Sequence, residues 1–435
     1  MVMPILQSPL LWQALSAVLL LCILVQQFSL QPFPIRAKQI SSALEHGDEQ
    51  TIGKDTGAWS YDWARDHDNL NLNVEQCDAA FPELYDEVDR AVQYWGESGR
   101  KITSESIELV GGNDGGVRGL IAGQQLRIIQ TRGLGRKDFR HRIIAVLQQI
   151  QTALNAAQSA GQPLPDVEFT VVVDDKPVVG EKPRALWGFT RAFANPRHDN
   201  VWVIPDFHFF GAPPEAEGWS LQQSKSREHD GPLDQKIAKV AWRGVAWTNP
   251  EVREPLLNVT EGKPWADVVQ MSWDKKDSVI PMASFCKYRY VVNTEGRSWS
   301  ARMTHLLNCD SLLMVHDVEW IAHYYHLLDT DTNCVRVERD FSDLEEKIKY
   351  YNEHLDEAQK IADTAKATFR ERYTTPAATA CYWRRLLRSW ATVAFKPKTT
   401  EMTKVKNRLS STEKLRGIAF EQFIVHDNTK DYPYK

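Results

Sequence analysis

Short apolar runs alternate with stretches of helical spacing along most of this chain. In its second half Ile237–Trp242, Tyr288–Val292, Ser311–Val315 and Cys334–Val337 are rich in β-branched and aromatic residues and predict buried strands. Val318–Leu328, Asp343–Arg372 and Tyr382–Val393, between and after them, read as helices. Strand and helix in alternation predict a doubly wound parallel sheet, hence an α/β fold. The first half is more mixed. Residues 75–96 repeat apolar positions at helical spacing (Leu84, Val88, Ala91, Val92, Trp95), and Phe139–Ala160 does so through Ile143, Val146, Leu147 and Ile150. Residues 107–132 read as a hairpin turning at the glycine run Gly111–Gly116. No helix start and no Lys-Ser/Thr pair follows that run, so it is a turn and not a nucleotide loop. Phe169–Val173 is a near-continuous apolar strand, and Asn200–Ile204 is a second, ending in Pro205-Asp206-Phe207.

Between Gly211 and Pro232 the periodicity lapses into Pro, Gly, Glu, Ser and Gln, the composition of a crossing between two domains. A length of 435 residues agrees, since it exceeds what one hydrophobic core accommodates. Leu10–Leu30 is apolar enough around its centre, Leu15–Val25, to span a bilayer. No Lys or Arg precedes it while Arg36 and Lys38 follow, against the positive-inside pattern. The lack of a small-x-small cleavage site still favours a signal-anchor over a cleaved signal. The expected organisation is a short cytosolic tail (1–9), a transmembrane anchor (10–30), a stem (31–60), an N-terminal acceptor-side domain (61–215), a C-terminal nucleotide-sugar domain (216–395) and a polar tail (396–435).

Composition narrows the setting. A formal charge of −5 is small for this size and gives no bulk attraction to nucleic acid. Fifteen tryptophans are read mainly as core, although indole faces also pack on the C–H faces of sugars. Of six cysteines Cys22 lies in the apolar segment, and the other five are dispersed with no C-x-x-C pair of the zinc type. In an oxidising lumen they form one or two disulfides; in the cytosol they would be reduced core residues. Asn258-Val-Thr260 is a sequon, of use only in the secretory pathway. The terminal Asp431-Tyr-Pro-Tyr-Lys435 is no ER-retrieval signal, so the expected address is the Golgi membrane, single-pass type II with a lumenal body, the ER being the alternative.

Two strand ends carry candidate chemistry. After Tyr288–Val292 the chain turns at Asn293 and Gly296, and Ser298 or Ser300 can cap a helix with Met303, Leu306 and Leu307 on its apolar face. Unpaired N–H groups at such a turn favour an anion, and the guanidinium forks of Arg297 and Arg302 suit phosphate oxygens. This reads as a pyrophosphate cradle at the carboxyl end of a parallel strand. An ordinary strand–helix turn with two solvated arginines fits the spacing equally well. The strand Phe169–Val173 runs into Asp174 and Asp175 before Pro177, where catalytic carboxylates collect in α/β folds; a solvated turn is the competing reading.

Taken in order, Ala241–Gly244 with Asn249–Leu256, Cys286–Tyr290, Gly296–Arg302, Glu319-Trp320, Val337–Leu344 and Cys381–Trp383 resemble pieces of glycosyltransferase family 90, the capsule-associated and Rumi-type protein O-glucosyltransferase family. The resemblance covers roughly residues 160–392. It implies a GT-B-like architecture, two Rossmann-like domains facing across a cleft, and inverting transfer from a UDP-sugar without an obligatory metal or other cofactor. By motif match it implies Asp175 as the base that deprotonates the acceptor, with Asp174 as the alternative. Arg253 and Arg302 fall on the UDP phosphates, and Ser300 donates to the same group. Gly296 and the N–H groups of Arg297, Ser298, Trp299, Ser300 and Ala301 complete the cradle, with Arg243 and Gly244 in the neighbouring donor-binding piece. Glu319 is matched to the ribose hydroxyls, a structural glutamate on its helix being the competing reading. The family's pairing also implies disulfides Cys286–Cys309 and Cys77–Cys381. Two departures stand out: Val245 replaces a serine frequent in the family, and the loop before Arg253 is one residue longer.

The function so implied is transfer of xylose or glucose from its UDP carrier to a hydroxyl of a glycan or glycoprotein, with one N-terminal helix in the membrane and no nucleic-acid partner. A protein O-glucosyltransferase acting on Ser of folded domains is the alternative within the class. A catalytically inactive relative that only binds sugar nucleotide or glycan is the alternative outside it. Asn258 is the expected glycosylation site.

Overall fold

The computed structural model describes residues 59–433, apart from 98, 110–114, 178–183, 213–216, 273, 405–410 and 427–429. The expected tail, anchor and nearly all of the stem lie outside the described residues, as does most of the Gly111–Gly116 run. No helix among the described residues is long and apolar enough to cross a membrane.

Two sheets organise the chain. The second is wholly parallel, in the order Ala266–Gln270, Ile237–Gly244, Tyr288–Asn293, Leu312–His316, Val335–Val337. Its inner strands Tyr288–Asn293 and Leu312–His316 are buried on both faces because both faces are covered. Val240, Trp242, Tyr290, Val292, Leu312 and Met314 enter one core cluster, whereas Ala241, Val291, Leu313 and Val315 enter another. That alternation is the two-residue period of a strand.

The first sheet is mixed: Ile418–Ala419, Gln125–Arg132, Gly116–Ala122, Val167–Val172, Trp187–Gly188, Trp202–Val203. The first three junctions are antiparallel and the last two parallel. Helix Pro376–Val393 comes from the far end of the chain and packs on helices Asp86–Gly96 and Lys137–Ser159 of this half. Trp390 donates its indole N–H to the carbonyl of Glu168, Trp383 to the side chain of Gln149, and the Tyr382 hydroxyl reaches the carbonyl of Val203. Trp187, Trp202, Trp242, Trp383 and Trp390 are all fully buried, so the tryptophan excess is largely core.

Several elements depart from the sequence pattern for local reasons. The hairpin turns at Gly123-Gln124, not at the glycine run, with φ of +56° and +66° as a primed two-residue turn needs. Residues 75–96 form two helices, Val74–Ala80 and Asp86–Gly96, interrupted at Phe81-Pro82. Val318–Leu328 is not a helix. Trp320-Ile321 pairs as a strand with Arg191-Ala192, and only Tyr325–Leu327 coils, as a 3-10 turn. The Glu295 carboxylate accepts the backbone N–H groups of Glu319 and Trp320 and so fixes the start of this segment.

Both expected disulfides are present: Cys286–Cys309, and Cys77–Cys381, which ties helix Val74–Ala80 to the closing helix across 304 residues. Cys334 is the free, buried cysteine among the described residues. Because the longer loop restricts the unfolded chain more, Cys381→Ser is expected to cost about 2–4 kcal/mol. Thermal unfolding without reductant should show a larger drop in Tm for Cys381→Ser than for Cys309→Ser.

Candidate active site

The carboxyl ends of strands Val167–Val172 and Tyr288–Asn293 meet across a cleft of about 370 Å³. From the first half it is lined by Arg142, Asp174, Asp175 and His208, and from the second by Arg253, Gly296, Arg297, Trp299, Ser300 and Ala301. The turn and the carboxylate pair picked out by sequence therefore face one another.

Asp175 sits just beyond a strand buried at every position. Its Oδ1 accepts from Arg142 Nη1 at 2.8 Å, and Arg142 also donates to the carbonyl of Val173, so one arginine fixes both the carboxylate and the strand end. The Arg142 guanidinium lies 4.7 Å over the Phe207 ring, which holds it in place. Asp174 turns back as a cap, its Oδ1 accepting the N–H of Asp175 at 2.7 Å. Arg297 stands 3.8 and 3.9 Å from the two carboxylates, close enough for attraction and too far for a hydrogen bond.

Across the cleft the helix after the glycine turn is short, Arg302–Leu306, and has no side-chain cap. Neither Ser298 nor Ser300 plays the capping role read from the sequence. The buried Ser298 hydroxyl instead donates to the carbonyl of Asp175, tying the turn to the opposite half. Trp299 does likewise through its indole N–H, 3.4 Å from Asp206 Oδ2. With only five helical residues, the anion-attracting element is the turn and its arginines rather than a helix dipole.

Those arginines have an unusual setting. Arg253 is buried; its Nε donates to the carbonyl of Glu295 and its Nη1 to that of Val245, both at 2.9 Å. Its guanidinium lies 5.7 Å from the Trp242 ring centre, and that of Arg302 lies 5.6 Å from the same ring. Nε and Nη1 of Arg302 are closed off from solvent without a hydrogen-bond partner. Burial pulls Arg253 down to about 10 and Arg302 down to about 9, and for Arg302 the like charge of Arg253 adds to the effect. No acidic group among the described residues offsets either. A buried and a half-buried cation sharing one indole and facing no anion form a site short of negative charge. The close approach explains two glycines. A Cβ on Gly296 would stand 3.2 Å from Arg253 Nη2, and one on Gly244 would lie 2.6 Å from Trp242 and 3.3 Å from Arg302 Nη2.

Not every expected donor residue joins this group. Arg243 points to the other face of its strand, where Nη2 pairs with Asp267 at 2.8 Å and Nη1 donates to the Asp267 carbonyl. Glu319 pairs with Arg339 at 2.9 Å. The same Arg339 holds the buried Glu295, which burial pushes up to about 7 against the pull of that arginine. Asn258 is exposed on helix Pro250–Thr260, while the Thr260 hydroxyl turns inward onto the carbonyl of Leu256.

Sequence reasoning missed Arg142, His208 and Trp242. Arg142 is a polar position on an amphipathic helix, 33 residues from its carboxylate, with no local signal. His208 had one: Pro205-Asp206-Phe207 was noted as a strand end, and Asp206 Oδ1 lies 3.1 Å from His208 Nδ1, which orients the ring in the cleft. Burial is the largest influence on Asp206 and works to raise it, but the hydrogen bonds and charge of His208, together with His323, outweigh it and hold the carboxyl below its ordinary value.

Comparison with known proteins identifies a family. The profile described as glycosyl transferase family 90 matches residues 76–430. The chain is 29% identical over 245 residues to Protein O-glucosyltransferase 2 of Danio rerio, covering 52% of this chain and 48% of that protein. It is 26% identical over 251 residues to Protein O-glucosyltransferase 1 of Homo sapiens, covering 52% and 63%. The chain thus spans about half to just under two thirds of these relatives' length. Among solved structures, Anabaena Alr3699/HepE in complex with UDP and glucose aligns at a TM-score of 0.30 and 12% identity, over 52% of this chain and 72% of that one. A glycosyltransferase from Rickettsia africae ESF-5 aligns at 0.31 and 10%, over 71% and 94%.

Proposed function

The chain belongs to glycosyl transferase family 90, and on that premise we propose that it is an inverting transferase carrying glucose or xylose from a UDP carrier to a hydroxyl of a glycan or glycoprotein. The observation that carries this reading is Arg253, buried in the wall of the cleft that also holds Asp175, with the half-buried Arg302 sharing its Trp242 ring and no acidic partner among the described residues offsetting either. A diphosphate supplies the missing charge. In this reading the acceptor hydroxyl gives its proton to Asp175 while its oxygen bonds to the anomeric carbon. The bond from that carbon to the diphosphate oxygen breaks on the opposite face, and UDP leaves with the electron pair. Arg253, Arg302 and the N–H groups of the 296–301 turn stabilise the charge that develops on the leaving oxygen. Arg142 keeps the carboxylate aimed, and Arg243 serves the strand rather than the donor.

Glucose is favoured as donor sugar by the relatives, which are named protein O-glucosyltransferases. The same names support the second reading, a Ser-modifying enzyme acting on folded domains. The two disulfides favour an oxidising lumen. Anchorage by residues 10–30 in the Golgi membrane belongs to the same proposal, as does the GT-B arrangement of the two halves.

The test is thermal stability with ligands. UDP is expected to raise Tm in proportion to about 2.7 kcal/mol at one hundred times its Kd, whereas uridine, lacking phosphates, should do little. Equal shifts with uridine and UDP, or none with either, would overturn the reading.

A further inference from the structure

Trp247 is the most exposed large aromatic among the described residues, with 72% of its surface accessible. It stands on the loop between strand Ile237–Gly244 and helix Pro250–Thr260, and it lines two cavities at once. One is the reaction cleft. The other is a groove of about 920 Å³ between that helix and the edge strand Ala266–Gln270. Its volume lies in the range of ligand sites. Its walls are more polar than apolar: Glu254, Asn258, Glu261, Lys263 and Gln270 line it beside Leu257, Val268 and Val269. Lys263 is committed to Glu345 at 2.7 Å, and Asp267 to Arg243, while Glu254 and Glu261 stand exposed. The exposed Glu254 and Glu261 repel a polyanion, and the mixed wall suits a ligand that is polar at its rim and apolar on a face. An exposed indole at the head of a polar trough matches a pyranose, which has an apolar C–H face and hydroxyls around its rim.

We propose that this groove is an extended subsite for a neutral oligosaccharide acceptor, with Trp247 the platform on which its sugars pass from the groove to the cleft. The proposal rests on the transferase reading and names the acceptor class of the same enzyme. The polarity of the walls and the shared indole favour a glycan over a peptide added to the edge strand, since a peptide would ask for apolar pockets on alternate side chains.

The test uses the full chain with UDP-glucose and UDP-xylose, and neutral gluco-, manno- and galacto-oligosaccharides of one to six residues as acceptors. KM is expected to fall with acceptor length. Trp247→Ala should raise KM for the preferred longer acceptor about tenfold. Asn258→Trp, which fills the groove from an exposed position, should flatten the length dependence relative to Asn258→Gln; the latter removes the sequon beside the groove without filling it. A KM independent of length, or a length dependence surviving both Trp247→Ala and Asn258→Trp, overturns the proposal. So does a Ser-bearing folded domain serving as acceptor while the oligosaccharides do not. Wild-type UDP binding, measured alongside, separates the failures: if UDP binds and length has no effect, the groove assignment falls alone. If UDP does not bind, the transferase reading falls with it.

Discussion

Asp175→Asn is expected to lower kcat by about 10²–10⁴ while UDP affinity stays within about twofold of wild type, because a positioned general base acts in the transition state and not on the bound donor. The substitution is close to isosteric, and its surroundings persist. Arg142 retains its bond to the Val173 carbonyl, and Ser298 bonds the backbone of residue 175 rather than its carboxylate. A loss of turnover is therefore attributable to the missing proton acceptor. Asp174→Asn supplies the contrast. Its carboxylate caps the N–H of Asp175 and an amide oxygen can do the same, so a much smaller loss is expected. Single-turnover transfer and UDP titration on both variants decide between the two carboxylates. Asp175→Asn turning over at the wild-type rate would remove it as the base, and a larger effect at Asp174 would reverse the roles.

The features legible in the sequence were those whose cause is local. Strand Tyr288–Asn293 and the parallel sheet around it followed from runs rich in β-branched and aromatic residues, and helix Lys137–Ser159 from its spacing. The glycine turn was legible from Asn293 and Gly296 themselves, although the crowding of Gly296, where an added Cβ would stand 3.2 Å from Arg253 Nη2, comes from a residue distant in sequence. What failed was structure decided across the chain. Val318–Leu328 has helical spacing, yet its Trp320-Ile321 pairs as a strand with Arg191-Ala192, far away in sequence. The caps expected of Ser298 and Ser300 failed because the helix begins only at Arg302 with Ala301 at its N-cap, while the Ser298 hydroxyl donates to a carbonyl 123 residues away. Arg243 stood in a donor-binding motif, but the strand's two-residue period puts Trp242 on the cation side and Arg243 on the other, against Asp267. The breaks at Phe81-Pro82 and His354 divide patterns that read as single helices, since amphipathic spacing runs on past a capping interruption.

Arg302→Met is expected to weaken UDP binding by roughly 100-fold or more, the cost of removing one partner from a buried charge pair, and to leave the unliganded protein as stable as wild type or more so. The second half of that statement distinguishes a ligand-binding arginine from a structural one. An arginine that supports the fold is satisfied by it, and its loss leaves acceptors unpaired. Arg302 has two N–H-bearing nitrogens with no partner, a second cation nearby, and an indole as its main neighbour. In the empty protein it costs stability, because a desolvated charge is retained without its counter-charge. Methionine fills similar volume against Trp242 without that charge. Arg253→Met should differ, since Arg253 also bonds the carbonyls of Glu295 and Val245 and so holds the turn. Losing it should reduce both UDP affinity and unliganded Tm. Thermal unfolding of the three proteins with and without UDP reads both quantities in one experiment. A lower Tm for unliganded Arg302→Met with an undiminished UDP shift would mean that the guanidinium supports the fold, and the diphosphate would have to be sought elsewhere in the cleft.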